Sequence, residues 1–342
     1  MDVQEQIKLG NDEAKSHEGD SGSNPGQERA LVGEQGTRVR LMLADADPSP
    51  RVTMFAPNSN KVTKIFDGTI QEQYDHLHQN YTAAGFKLVY WDPPFYTGKD
   101  QVSDFGTFVD TWKDLPTYLE WIRTHMLLLG PMVADDGFVV VHCDWHASHY
   151  IKILGDQIFG YDNFRNEIIW HYTGRRQPAR IRVNAKHDVL LVWAKSEVAT
   201  FNPIFESWTR DEYVRMKKQV VHLDEDGREW IWGHQGRGKS HAYRIYLDEA
   251  VSRGRAIDSV WDMPIINTSA KERVGYPTQK PLALLTRLIA LCTKPGDWVW
   301  DPMIGSGTTL VAAAQSGRHG FGGDQSDDAI RLATMRVGGL NS

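Results

Sequence analysis

The sequence predicts an α/β protein built on a doubly wound, mostly parallel sheet that also carries an antiparallel hairpin. Three observations predict it. From Lys61 onward, short apolar runs alternate with stretches of helical length. Two of these runs, Lys87 to Trp91 and Trp298 to Trp300, end in an aspartate that opens a turn. Glu167 to Tyr172 and Val189 to Trp193 are β-rich and are expected to pair with each other.

In chain order, Val62 to Phe66 reads as a strand and Gln71 to Ala84 as a helix. Phe86 to Trp91 is a strand, Pro116 to Met132 a strongly apolar helix, and Phe138 to His142 a strand leading to a helix near Ser148 to Phe159. After the paired strands come a helix over Pro281 to Cys292, a strand over Trp298 to Asp301 and a helix over Thr308 to Gln315. Gly320 to Asp324 and Asp327 to Met335 close the chain as strand and helix.

Two stretches break this rhythm. Residues 1 to about 36 are rich in Gly, Ser, Asp, Glu and Gln, too poor in large apolar groups to offset chain entropy, and are expected to be disordered. Val39 to Leu43 could extend as a strand, but Pro48, Pro50 and Pro57 interrupt the segment after it. The expected division is a mostly disordered acidic tail over 1–52 and one domain over 53–342. Within that domain, 198–262 is polar, holds Trp208, Trp230 and Trp232 among many charges, and reads as an insertion.

Composition limits the function classes. The 342-residue chain is 41% hydrophobic, enough for a large core. The N-terminus, M-D-V-Q-E-Q, has no apolar signal-peptide region and no run approaches a membrane span, so no membrane association is expected. Two cysteines, Cys143 and Cys292, imply no disulfide framework, and a cytoplasmic setting is expected. The net charge is −6, but residues 1–36 hold eight acids against three bases and so contribute −5 of it. Any binding to phosphates must therefore come from local basic patches.

Two motifs carry the chemistry. Asp301 to Leu310 reads D-P-M-I-G-S-G-T-T-L, a strand end opening into a glycine-rich turn and then a helix. Gly305 and Gly307 let the backbone approach a ligand, and the free N–H groups at the helix start face it. Asp324, 23 residues after Asp301 at the end of the next strand, can take both ribose hydroxyls. By this geometry alone a nicotinamide dinucleotide fits nearly as well as other nucleotide-like cofactors. Asp92 to Phe95 reads D-P-P-F, a carboxylate held by two prolines beside an aromatic ring, which suits gripping a flat base by its amino group.

Together these motifs resemble those of the S-adenosylmethionine-dependent DNA amino-methyltransferases. D-P-M-I-G-S-G-T-T is similar to that family's D-P-F-x-G-S-G-T-T, with Met303 in place of the usual Phe, and Tyr276 to Pro281 reads Y-P-T-Q-K-P, similar to its T-Q-K-P element. The resemblance runs from about Lys61 to Met335. The catalytic motif precedes the cofactor motif, the circularly permuted order of the beta class, and this implies a Rossmann-like methyltransferase fold. It implies S-adenosylmethionine as cofactor, with Thr278 and Lys280 by the methionine carboxylate, and Asp301, Gly305, Ser306, Gly307 and Thr308 around the amino-acid part. Asp324 would then take the ribose and Asp67 would neighbour the adenine. The implied catalytic set is Asp92, Pro93, Pro94 and Phe95, acting on a base flipped out of double-stranded DNA. Asp-Pro-Pro followed by an aromatic leans toward adenine N6, with cytosine N4 the alternative. A partner-dependent modification subunit of a restriction-modification system is the rival reading. A homodimer and a cognate restriction endonuclease are the protein partners considered.

Transfer to an exocyclic amine needs no covalent intermediate. Asp92, helped by the Pro93 carbonyl, can hydrogen-bond the N–H groups and favour a pyramidal nitrogen while Phe95 stacks on the ring. Transfer to a ring carbon would use a cysteine nucleophile, and neither cysteine lies in a suitable context. Arg175, Arg176, Arg180, Arg182 and Lys186, between the two paired strands, are expected to straddle a phosphate backbone. Gly233 to Ser240 formally matches a P-loop, but it follows no buried strand; phosphate contacts through Arg237 and Lys239 are the expectation. His142, Cys143, Asp144, His146 and His149 offer zinc-type ligands, yet they fall where a strand enters a helix, and no metal is expected.

Overall fold

A computed structural model describes residues 51–55, 61–81, 85–103, 106–174, 178, 180–234 and 242–341. Residues 1–50 of the expected tail, including the Val39 to Leu43 stretch, and Arg175, Arg176, Arg237 and Lys239 lie outside the described residues, while Val52 of that tail begins a strand.

Among the described residues, nine strands form the main sheet: β1 (Val52–Phe55), β2 (Thr63–Asp67), β3 (Phe86–Trp91), β4 (Val133–Cys143), β5 (Phe164–His171), β6 (His187–Ala194), β7 (Val260–Asp262), β8 (Trp298–Asp301) and β9 (His319–Asp324). Their spatial order is β1-β2-β9-β8-β3-β4-β6-β5-β7. The run β2-β9-β8-β3-β4 is parallel, and β7 is parallel to β5. β6 is antiparallel to both β4 and β5, which makes the expected hairpin, and β1 is antiparallel to β2.

Among the described residues, six helices cover the sheet: α1 (Ile70–Asn80), α2 (Leu115–Leu129), α3 (Ser148–Phe159), α4 (Leu282–Cys292), α5 (Thr308–Gln315) and α6 (Asp327–Gly338). Alternation along β3 assigns the two faces. Val89 and Trp91 pack with Leu77, Ile122, Met126 and Ile151 of α1, α2 and α3. Leu88 and Tyr90 pack with Leu284, Leu288 and Ala312 of α4 and α5. α6 adds Ala333 and Val337 over Ile65 and Val311.

Element boundaries differ from expectation where a polar group or proline intervenes. α1 stops at Asn80, whose amide donates to the His76 carbonyl at 2.9 Å and closes the last turn. α2 gives way at Gly130 to a 3₁₀ turn, because Pro131 has no N–H to continue the ladder. β4 begins at Val133, earlier than the apolar run, since Val133 still pairs with Phe86 ahead of the polar residues that follow it.

The expected insertion is a small subdomain over 205–256. It holds a three-stranded antiparallel sheet (His222–Leu223, Glu229–His234, Ala242–Tyr246) and two short helices (Arg210–Lys217, Leu247–Arg253). Tyr213, Ile231, Leu247 and Ala250 form its core. Both flanks of the 198–262 segment belong to the main body: Ala199, Phe201 and Ile204 pack on the α4 side, and β7 buries Trp261 there. Among the described residues, no helix is long and apolar enough to cross a membrane.

Candidate active site

Sheet order places the site. From β3 the chain crosses through α2 to β4 on one side; from β8 it crosses through α5 to β9 on the other. β3 and β8 are neighbours, so the crevice beyond their carboxyl ends is where the winding reverses, the usual ligand position in such sheets. D-P-P-F follows β3 and the glycine-rich turn follows β8, so motifs 209 positions apart (Asp92 and Asp301) face each other. They share a cavity of about 690 Å³ lined by Asp92, Pro93, Pro94, Phe95, Thr278, Lys280, Asp301, Gly305, Ser306, Thr308 and Asp324, among others.

The two prolines cannot extend the ladder, so β3 ends at Trp91. Tyr118 on α2 donates its hydroxyl to the Pro94 carbonyl at 2.7 Å. The buried Asp110 accepts the amides of Tyr96 at 2.9 Å and Thr97 at 2.8 Å, holding Tyr96 at φ 64°. These contacts fix the loop from behind and leave the Pro93 edge facing the cavity.

Asp92 Oδ2 accepts from Lys280 Nζ at 2.5 Å, and the ammonium sits 5.1 Å from the Phe95 ring centre. Asp92 Oδ1 is buried and has no hydrogen-bond partner among the described residues; His142 Nδ1 is 3.8 Å away. Behind Asp92, the Tyr90 hydroxyl lies 2.7 Å from His142 Nδ1, and His142 Nε2 lies 3.2 Å from Asp188 Oδ2. Burial raises the Tyr90 phenol well above its ordinary range, so it stays protonated. The His142 ring also packs 5.6 Å from Phe95.

In the glycine-rich turn, Gly305 has φ 48° and Gly307 φ 77°. A Cβ on Gly307 would meet Ala333 Cβ at 2.8 Å, so only glycine lets α5 and α6 close there. Asp324 accepts from the Gly305 and Ser326 amides, each at 3.0 Å, and Arg336 donates to the Ser306 carbonyl at 2.6 Å. Burial pushes Asp301 up to about 7, against hydrogen bonds from Thr309 and the Met303 amide. Burial also raises Asp324 above the ordinary carboxylate range. Two buried carboxylates with no ion pair among the described residues suit a ligand carrying an ammonium and paired hydroxyls, which is what S-adenosylmethionine offers.

Two further residues expected on this side are placed as follows. Asp67 ends β2 beside Asp324, is exposed, and is not among the residues that line the cavity. Lys280 pairs with Asp92; Gln279, bonded to the Val274 amide and the Glu272 carbonyl, shapes the loop that carries it there.

Arg180, Arg182 and Lys186 lie on the β5–β6 loop, at the carboxyl edge that carries the site. Arg182 stacks 4.4 Å over the ring of the exposed Trp145. The P-loop-like segment starts in a strand, and the next described element is its antiparallel partner Ala242–Tyr246 where a P-loop needs a helix. Trp208 and Trp230 pack within the subdomain; Trp232 is exposed. His146 bonds Asp144, whereas His142 turns inward to Tyr90 and Asp188. Cys143 and Cys292 are fully buried, and burial pushes both thiols up, so neither offers a thiolate nucleophile. Sequence reasoning missed Asp110, Tyr90 and Asp188, which are single polar residues without a motif around them; His142 was noticed only as a metal-type ligand.

The DNA methylase family profile matches residues 86–335. The type II methyltransferase M2.LlaDCHI of Lactococcus lactis subsp. cremoris is 34% identical over 264 residues, covering 73% of this chain and 81% of that one. The DNA adenine methyltransferase YhdJ of Escherichia coli is 24% identical, covering 75% and 77%. The chain spans 64% of the length of the type II methyltransferase M.EcaI of Enterobacter cloacae, at 25% identity. Among solved structures, the cytosine-N4-specific PvuII DNA methyltransferase superposes with a TM-score of 0.53 at 13% identity, over 80% of this chain and 86% of that one, a likeness of fold. With the family profile covering most of the chain and both motifs facing one cavity, this protein belongs to the DNA methylase family of N6-adenine and N4-cytosine amino-methyltransferases.

Proposed function

We propose that this protein transfers a methyl group to the exocyclic amine of a base flipped out of double-stranded DNA, with adenine N6 the target. The observation that carries the reading is the shared cavity, in which Asp92 and Phe95 face the Asp301–Asp324 carboxylates across the β3–β8 crevice. S-adenosylmethionine, when bound, supplies an electrophilic sulfonium methyl. Asp301 would hold its amino group and Asp324 its ribose hydroxyls. An aromatic amine is a weak nucleophile because its lone pair delocalises into the ring. Asp92 and the Pro93 carbonyl accept its two N–H bonds and favour the pyramidal nitrogen, and Asp92 stands ready for the proton released. Phe95 stacks on the base, with its plane backed by His142. The lean to adenine rests on Asp-Pro-Pro-Phe and on the named activity of YhdJ; cytosine N4 uses the same geometry.

Arg180, Arg182 and Lys186, with Arg175, Arg176, Arg237 and Lys239, would contact backbone phosphates, and the 198–262 segment would read the target sequence. A type II restriction-modification setting, with a cognate endonuclease, a homodimeric enzyme and a cytoplasmic location, completes the proposal. The test is base-resolved methylation sequencing of DNA from a methylation-free host expressing the protein or its Asp92→Ala variant. Methyladenine in one short motif, absent with Asp92→Ala, is expected. Methylcytosine on its amine would change the base, and an unchanged mark in the variant would sink the mechanism.

A further inference from the structure

Lys280 stands where a target base must go. It is bonded to the carboxylate that should accept the amine, and it covers the ring that should stack on the base. The contact is sheltered: the Lys280 side chain is 12% exposed and that of Asp92 16%. Asp92 Oδ1 has no hydrogen bond among the described residues and His142 Nδ1 stands 3.8 Å off, so the ammonium at 2.5 Å is the nearest cation to this carboxylate. Removing one member of a sheltered ion pair without replacement is strongly unfavourable. A base is neutral and cannot compensate the ammonium it displaces, so the ammonium needs another anion within reach.

The cavity lining decides which anion. Six aspartates line it (Asp92, Asp110, Asp301, Asp324, Asp327 and Asp328), and Lys280 is its one Lys or Arg among the described residues. A donor bearing an amino-acid carboxylate therefore meets one fixed positive charge in the cavity, and that charge is already committed to Asp92. A lysine stem has the freedom to swing between two anions.

We infer that Lys280 is a two-position residue that couples donor binding to base entry. In the donor-free protein it neutralises Asp92 and shields Phe95. On donor binding it turns to the donor carboxylate, leaving Asp92 and Phe95 for the base. This inference rests on the methyltransferase reading above.

The test uses binding in the absence of DNA. The full-length protein is titrated calorimetrically with S-adenosylhomocysteine, which carries the carboxylate, and with 5′-methylthioadenosine, which lacks it. Asp92→Asn frees Lys280 and should tighten S-adenosylhomocysteine roughly five- to tenfold, the lower range of coupling energies, with methylthioadenosine unchanged. In a Lys280→Met background the same Asp92→Asn change should bring no gain. A gain that persists there would mean bulk charge repulsion and would overturn the inference, as would no gain at all. Should Asp92→Asn not fold, Lys280→Met alone must lower the affinity ratio of the two ligands about tenfold; an unchanged ratio also overturns it. A wild-type protein that binds neither ligand would instead refute the methyltransferase reading itself.

Discussion

Asp110 offers a sharp test of how the catalytic loop is held. Only 3% exposed, it accepts two backbone amides of the segment after Phe95, the Thr97 hydroxyl at 2.5 Å, and the Trp112 indole N–H at 3.3 Å. Asp110→Ala leaves two sheltered amides without their acceptor. Hydrogen bonds to a charged group contribute about 1.5–3 kcal/mol each, and solvent can enter the vacated space, so the expected loss of stability is about 3 kcal/mol. Tyr96 at φ 64° costs roughly 1–2 kcal/mol that these bonds now offset. Once they are gone the loop should relax, carrying Phe95 and the Pro93 carbonyl with it. A displacement near 1 Å at a reacting centre lowers rates by about 10². Asp110→Asn keeps one good acceptor and should fall between. The assays are urea unfolding and incorporation of tritiated methyl groups into DNA from a methylation-free host. An Asp110→Ala variant within about twofold of the wild-type rate, when the loop argument requires about 10², would refute the reasoning.

Other outcomes follow from the cofactor side. Asp301 has a folded pKa of about 7, against 3.8 for the unperturbed group. Between these values only the folded state holds the proton, so donor-free stability should fall as pH rises from about 4 to 7. Melting scans should show a flatter profile for Asp301→Asn, with a gain at pH 8, and a wild-type-like slope in the variant would remove Asp301 as the cause. Asp324→Ala should weaken S-adenosylhomocysteine at least about tenfold by calorimetry, as expected for lost hydrogen bonds to a charged acceptor; unchanged affinity would mean the ribose lies elsewhere. Gly307→Val places a branched side chain at φ 77° and against Ala333. It should cost about 2–4 kcal/mol in chemical unfolding, and a neutral result would show that the α5–α6 contact yields easily.

The strands and helices of the main body were legible because each buries an apolar face with a clear period. β3, α3, β8 and α5 lie where the apolar runs place them, while α1 and α2 end early at Asn80 and before Pro131, where local polar and proline chemistry outweighs the run. The two motifs were legible because their chemistry is local: an aspartate locked on two prolines, and glycines at backbone angles other residues resist. The subdomain was less so, since its core of Tyr213, Ile231, Leu247 and Ala250 is too small to impose a pattern on a charged segment.

What the sequence determined by itself is therefore the class of fold and the two motifs that line one cavity. Tertiary structure decided which groups meet across the crevice. The pairing of β3 with β8 brings residues 188 positions apart, Asp92 and Lys280, into contact, and the β4–β6 ladder sets His142 beside Asp188. None of these follows from spacing along the chain, because each depends on strand order and register, which are set by packing both faces of the sheet together.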